Sequence, residues 1–224
     1  AITLWNELLF GQLDQFVGSK ACSNCHINEY NSWLESTHGK AGGKPTADRI
    51  LAPFNGKKIA IKNGWFIPYK KNNRYFFSAQ ENGFPEQKYE VIGVVGGGHL
   101  YGGGTQSYFG FFPDGTMRLL PFDYHPGQRT WFLESNNLSG WVPATNNISP
   151  RELSEWPPNR VLGAIEEKQN CQQCHGSQIV TTFAISKGAY ETKFTDLSIN
   201  CESCHGPGKE HVSLMQYGKT IVKG

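Results

Sequence analysis

The chain of 224 residues holds six cysteines, and each lies in a C-x-x-C-H run. The runs are Cys22-Ser-Asn-Cys25-His26, Cys171-Gln-Gln-Cys174-His175 and Cys201-Glu-Ser-Cys204-His205. Residues i, i+3 and i+4 share one face of a helical turn. Two thiols so placed can bond the vinyl carbons of one porphyrin while the next residue offers its imidazole to the iron. This spacing therefore reads as covalent haem attachment. Zinc ribbons also use C-x-x-C, but they need two pairs per metal, and three pairs is an odd number for four-cysteine sites. Redox C-x-x-C pairs need no trailing histidine. With 7 histidines in the chain, chance would place one after all three pairs roughly 3 times in 100,000. The motifs imply three c-type haems, with His26, His175 and His205 as the first axial ligands. Haem is joined to thiols outside the cytoplasm, so a periplasmic or extracellular location is expected.

Four histidines remain for the opposite faces: His38, His99, His125 and His211. Three irons need three such ligands, so bis-histidine coordination is allowed with one to spare. Met117 and Met215 are the only methionines, too few for Met/His ligation throughout. Bis-imidazole iron sits at lower potential than Met/His iron, which favours a low-potential electron carrier. For the middle haem, on His175, the candidates are His99, His125 or no protein ligand. His99 is preferred, because glycines at 96–98 and 102–104 would let its loop descend onto a haem face without side-chain clashes. His125 lies in Asp123-Tyr-His-Pro-Gly127, which reads equally well as a turn. The same glycine cluster fails the dinucleotide pattern G-x-G-x-x-G, since Tyr101 falls where the third glycine belongs.

These groups need elements to position them. The fold class expected is α+β: short haem-binding helices and loops around a multihaem core, with a β-hairpin-rich insertion at about 45–160. Residues 2–17 place Ile2, Trp5, Leu8, Leu9, Leu13 and Phe16 near helical spacing, and residues 22–36 are expected to continue helically from the first motif. Gly64 to Ser78 reads as a hairpin about Asn72-Asn73. Ser107 to Leu120 reads as another about Asp114-Gly115. Residues 126–160 are rich in Pro, Asn, Gly and Ser and read as loop. Short helices are expected at 161–175 and 201–217.

Gly18-Ser-Lys-Ala-Cys22…Cys25-His26…Glu29-Tyr30…Trp33…Ser36-Thr37-His38 resembles the opening of multihaem cytochromes c related to the tetrahaem partner of hydroxylamine oxidoreductase. Cys201-Glu-Ser-Cys204-His205-Gly-Pro-Gly208-Lys-Glu-His211 is similar to that family's C-E-x-C-H-G-P-G…H ending. The resemblance implies crossed ligation: His211 would cap the haem held by His26, and His38 the haem held by His205. The chain departs from the family by lacking a fourth motif and by carrying the long segment between the first two. Within that segment, Val91 to His99 with Ser107-Tyr108-Phe109, and Asp114-Gly115-Thr116 with Leu119-Leu120-Pro121, resemble a β-rich insertion of other multihaem cytochromes. The whole of 1–224 is expected to form one triheme domain.

Composition narrows the function classes. Net charge is +2, without the clustered basic residues that nucleic acid or an anionic membrane would call for. Propionates of three haems would add about six negative charges and bring the loaded protein near −4. Hydrophobic residues make up only 38% of the chain, so porphyrin faces are expected to supply part of the core. No stretch approaches the ~18–20 apolar residues of a membrane span. The opening segment carries Glu7 and Asp14 without a basic start, so it reads as the beginning of a mature exported chain and not as a signal peptide. A lost upstream anchor is the alternative.

Electron transfer with other redox proteins is the leading function. An oxidoreductase acting on a small nitrogen or sulfur compound at an open haem is the alternative. A polymeric wire, in which the spare histidine ligates a haem of the next subunit, is the third reading. No acid–base constellation stands out, and no catalytic residue is assigned.

Overall fold

The computed structural model describes residue 11 and residues 13–61, 63–97, 104–133, 142–143 and 176–221. Among these, strands outnumber helices. The central strands are β1 (Gly42–Gly43), β2 (Ile59–Ile61), β3 (Gly64–Lys71), β4 (Arg74–Glu81), β5 (Gln87–Glu90), β6 (Gly93–Gly96) and β7 (Gln106–Phe111). They continue with β8 (Met117–Leu119), β9 (Phe122–His125), β10 (Thr130–Leu133) and β11 (Val142–Pro143). A separate hairpin joins β12 (Val180–Ala184) to β13 (Ala189–Lys193). The helices are short: α1 (Ser19–Cys22), α2 (Ile27–Glu35), α3 (Thr37–Lys40), α4 (Glu202–His205) and the longer α5 (Lys209–Ile221). Among the described residues no helix is long and apolar enough to cross a membrane.

Turn chemistry explains both central hairpins. Asn72 and Asn73 take φ of 48° and 59°, the left-handed pair that a two-residue I′ turn needs and that asparagine tolerates. They close β3 on β4, in register from Gly64↔Glu81 to Lys71↔Arg74. At the second hairpin Gly115 has φ 83°, and a Cβ there would meet the Tyr190 carbonyl oxygen at 1.8 Å. The close approach serves packing: the Tyr190 amide donates to the Asp114 carbonyl at 2.8 Å. The β12–β13 hairpin thus docks on the turn between β7 and β8.

β2-β3-β4-β5 form a four-stranded sheet, while β1-β6-β7-β9-β10-β11, with β8 beside β7, form a seven-stranded one. Between them lies a core of aromatic rings. Phe66 and Phe77 from the smaller sheet reach Phe122 of the larger at 4.7 and 4.6 Å between ring centres. Phe77 also meets Tyr108 at 5.4 Å and Trp131 at 5.5 Å. Such ring pairs add roughly 0.5–1.5 kcal/mol each beyond area burial. Strand alternation gives the larger sheet a second covered face: Val94 and Tyr108 enter the aromatic core, while their neighbours Val95 and Phe109 pack with Met117 and Leu197.

Several expectations are revised. Residues 126–160 are not loop throughout, because β10 pairs with β9 and with β11 inside that span. The helix expected over 22–36 is broken: α1 ends at Cys22, and α2 starts at Ile27 after His26 takes φ −114° and ψ 51°. The protein encloses a core of its own side chains despite the modest apolar fraction, since each large aromatic buries roughly 150–250 Å². Among the described residues, antiparallel sheet, more than helix, is the body of the fold. Most of the helix expected over 2–17, and all of that over 161–175, lie outside the described residues.

Candidate haem-binding site

The first and third motifs adopt the same backbone turn. Cys25 and His26 donate their amides to the Cys22 carbonyl at 3.2 and 2.9 Å. Cys204 and His205 donate to the Cys201 carbonyl at 3.2 and 3.0 Å. Each turn brings its two cysteines and its histidine to one side, as covalent attachment requires. Cys25, Cys204, His26 and His205 are all exposed, open to a group as large as a porphyrin.

The two motifs face each other although they lie near opposite ends of the chain. The Cys22 thiol lies beside that of Cys201. Burial pushes the Cys22 thiol up, and the neighbouring Cys201 and Glu202 add to this. The Cys201 amide donates to the Ser19 hydroxyl at 3.2 Å, and the Lys209 amide to the Gln15 carbonyl at 3.1 Å.

Glu202 is the residue whose role sequence reasoning missed. It sits inside the third motif and is 4% exposed. One carboxylate oxygen accepts the Val17 amide at 3.0 Å and the Gly208 amide at 2.7 Å. The other accepts the Gly18 amide at 2.7 Å. Two backbone features make room for it: Gly18 has φ 77°, and a Cβ on Gly208 would press Glu202 Oε1 at 3.1 Å.

This frame brings His26 and His211 together. Their ring centres are 6.3 Å apart and their planes 29° from parallel. Imidazoles that share one metal at about 2.0–2.1 Å per bond hold their ring centres roughly 6–6.5 Å apart. The separation is the size two imidazoles sharing one metal would take, and the cysteines and histidines present suit the group the motifs imply.

The other expected ligands are placed less fully. His38 is exposed on α3, and its carbonyl accepts the Ile199 amide at 3.3 Å, just ahead of Cys201. The Trp33 indole donates to the Ile199 carbonyl at 2.8 Å, holding α2 to the same segment. His125 ends β9, where its Nδ1 accepts the Gln128 amide at 3.1 Å, the bond of an ordinary turn residue. Met117 is fully buried between strands. Cys171, Cys174, His175 and His99 lie outside the described residues. Two residues after His175, however, Ser177 is tied to the third motif: its hydroxyl accepts the Asn200 amide at 2.8 Å and meets the Ser203 hydroxyl at 2.8 Å.

Three comparisons bear on this arrangement. The family model described as cytochrome c554 and c-prime matches residues 21–50 and 144–206, segments that hold all three motifs and His38. No curated protein matches. The crystal structure of the outer cell wall cytochrome OcwA is similar over 90% of this chain, at 19% identity and a TM-score of 0.49. The chain spans 34% of that protein's length. The family match falls on the same cysteines and histidines that the backbone turns present, and it supports a multihaem c-type cytochrome, with covalently bound haem, working in electron transfer.

Proposed function

We propose that the chain carries three c-type haems and passes electrons at low potential between other redox proteins. The observation that carries this reading is the His26–His211 pair, two imidazoles from opposite ends of the sequence set 6.3 Å apart. Bound haem supplies a one-electron iron couple. The chain's residues do the rest: Cys22 with Cys25, Cys171 with Cys174 and Cys201 with Cys204 fix the three macrocycles by their edges. His26 and His211 would ligate the first iron, His205 and His38 the third, and His175 and His99 the second, with His125 as the alternative. Two imidazoles per iron would leave no position for a substrate and would favour a low potential. Haem attachment outside the cytoplasm places the chain in the periplasm or at the cell exterior. The kinship proposed is with the tetrahaem partner of hydroxylamine oxidoreductase, in a single unit that carries a β-rich insertion at about 45–160.

Mass spectrometry under denaturing conditions should find three haems above the mass of the bare chain. The native protein should show only low-spin haem and bind carbon monoxide poorly when reduced. His211→Ala should then open the haem of the first motif, not that of the third. One haem in the native protein that binds carbon monoxide stoichiometrically would favour an oxidoreductase of small nitrogen or sulfur compounds.

A further inference from the structure

His211 reaches the first motif only if α5 leaves the third motif in the right direction, and three amides decide that direction. Gly208 lies immediately before α5, while Val17 and Gly18 lead into α1 and Cys22. All three donate to the carboxylate of Glu202. Charge-assisted bonds of this kind are about twice as strong as neutral ones, and here they are shielded from water.

We infer that Glu202 is a positioning residue for the first haem: it sits in the third motif but sets the ligation of the iron held by His26, by fixing where His211 stands. The inference rests on the proposed His26–His211 ligation. It makes the first haem's coordination depend on a side chain that belongs, in sequence, to the third haem. It also explains why a glutamate stands between Cys201 and Cys204. The C-x-x-C turn itself needs no particular residue there.

Glu202→Gln is the informative variant, equal in length but uncharged. Its amide group turns a donor toward amides that are themselves donors. In the holoprotein, with mass spectrometry verifying full haem loading, carbon monoxide should bind one reduced haem about tenfold faster or more, the weight of one lost charge-assisted hydrogen bond. The low-spin electron paramagnetic resonance signal of that haem should weaken while the signals of the others persist. His211→Ala should open the same haem, and the double variant should open no second one. Glu202→Asp keeps the charge but shortens the reach, and should fall between Glu202→Gln and the parent. Parental behaviour of Glu202→Gln, alongside an open haem in His211→Ala, would overturn the inference and leave the ligation reading standing. Two open haems in the double variant would overturn it as well. If His211→Ala opens no haem, the ligation reading fails and the inference falls with it.

Discussion

At the residue scale, Asp114 gathers the turn after β7. Burial pushes its carboxyl up, but bonds from the Thr116 amide and hydroxyl and from the Arg118 guanidinium outweigh that and hold it below the usual carboxylate value. A carboxyl depressed by folding contributes stability that is complete above its unfolded value, about 3.9, and that disappears as pH falls through the folded value. Asp114→Asn should therefore lower the melting temperature at neutral pH and flatten its decline below about pH 4. Melting curves from neutral pH into strong acid check this, and an unchanged slope would mean the turn does not sense that proton. The adjacent Gly115 has no such latitude. Gly115→Ala meets the Tyr190 carbonyl and forces a left-handed backbone on alanine. It should cost about 1–3 kcal/mol in chemical denaturation.

At the element scale, the hairpins about Asn72-Asn73 and Asp114-Gly115 were legible because their turn residues announce a backbone conformation locally. The β12–β13 hairpin was not read. Its place depends on a docking contact with Gly115, far away in sequence, and the flanking haem motifs pointed toward helices. β10 was lost inside a stretch rich in Pro, Asn and Gly, although Trp131 and Leu133 alternate as buried strand residues do. The first and third motifs adopt the turn that their spacing suggests, and His211 was singled out through the resemblance of its motif. Glu202 stood in plain view without a role, because its partners are backbone amides and amides leave no mark on a sequence. The packed elements carry a prediction of their own. Phe77 is fully buried and its ring meets Phe54, Phe122, Tyr108 and Trp131 across the two sheets. Phe77→Ala should cost about 3–5 kcal/mol in unfolding free energy, with haem spectra unchanged while the protein remains folded.

At the scale of the whole molecule, the chain has two kinds of interior. The sheets enclose a core of aromatic and aliphatic side chains, whereas the facing motifs present exposed cysteines and histidines. Chain produced without haem attachment should therefore keep its β-type circular dichroism and the blue-shifted emission of buried Trp131. A random-coil spectrum would show that the sheets need haem to form.

The carboxylate that joins the two ends is satisfied by neutral amides and shielded from solvent. Mobile ions screen exposed charges within about 8–10 Å at ordinary ionic strength but reach buried contacts far less. Added salt will thus leave the internal join untouched while it weakens any encounter steered by surface charge. If the chain is the multihaem carrier proposed above, a salt titration separates two kinds of electron movement: steps inside the molecule should keep their rate, and steps between molecules should not.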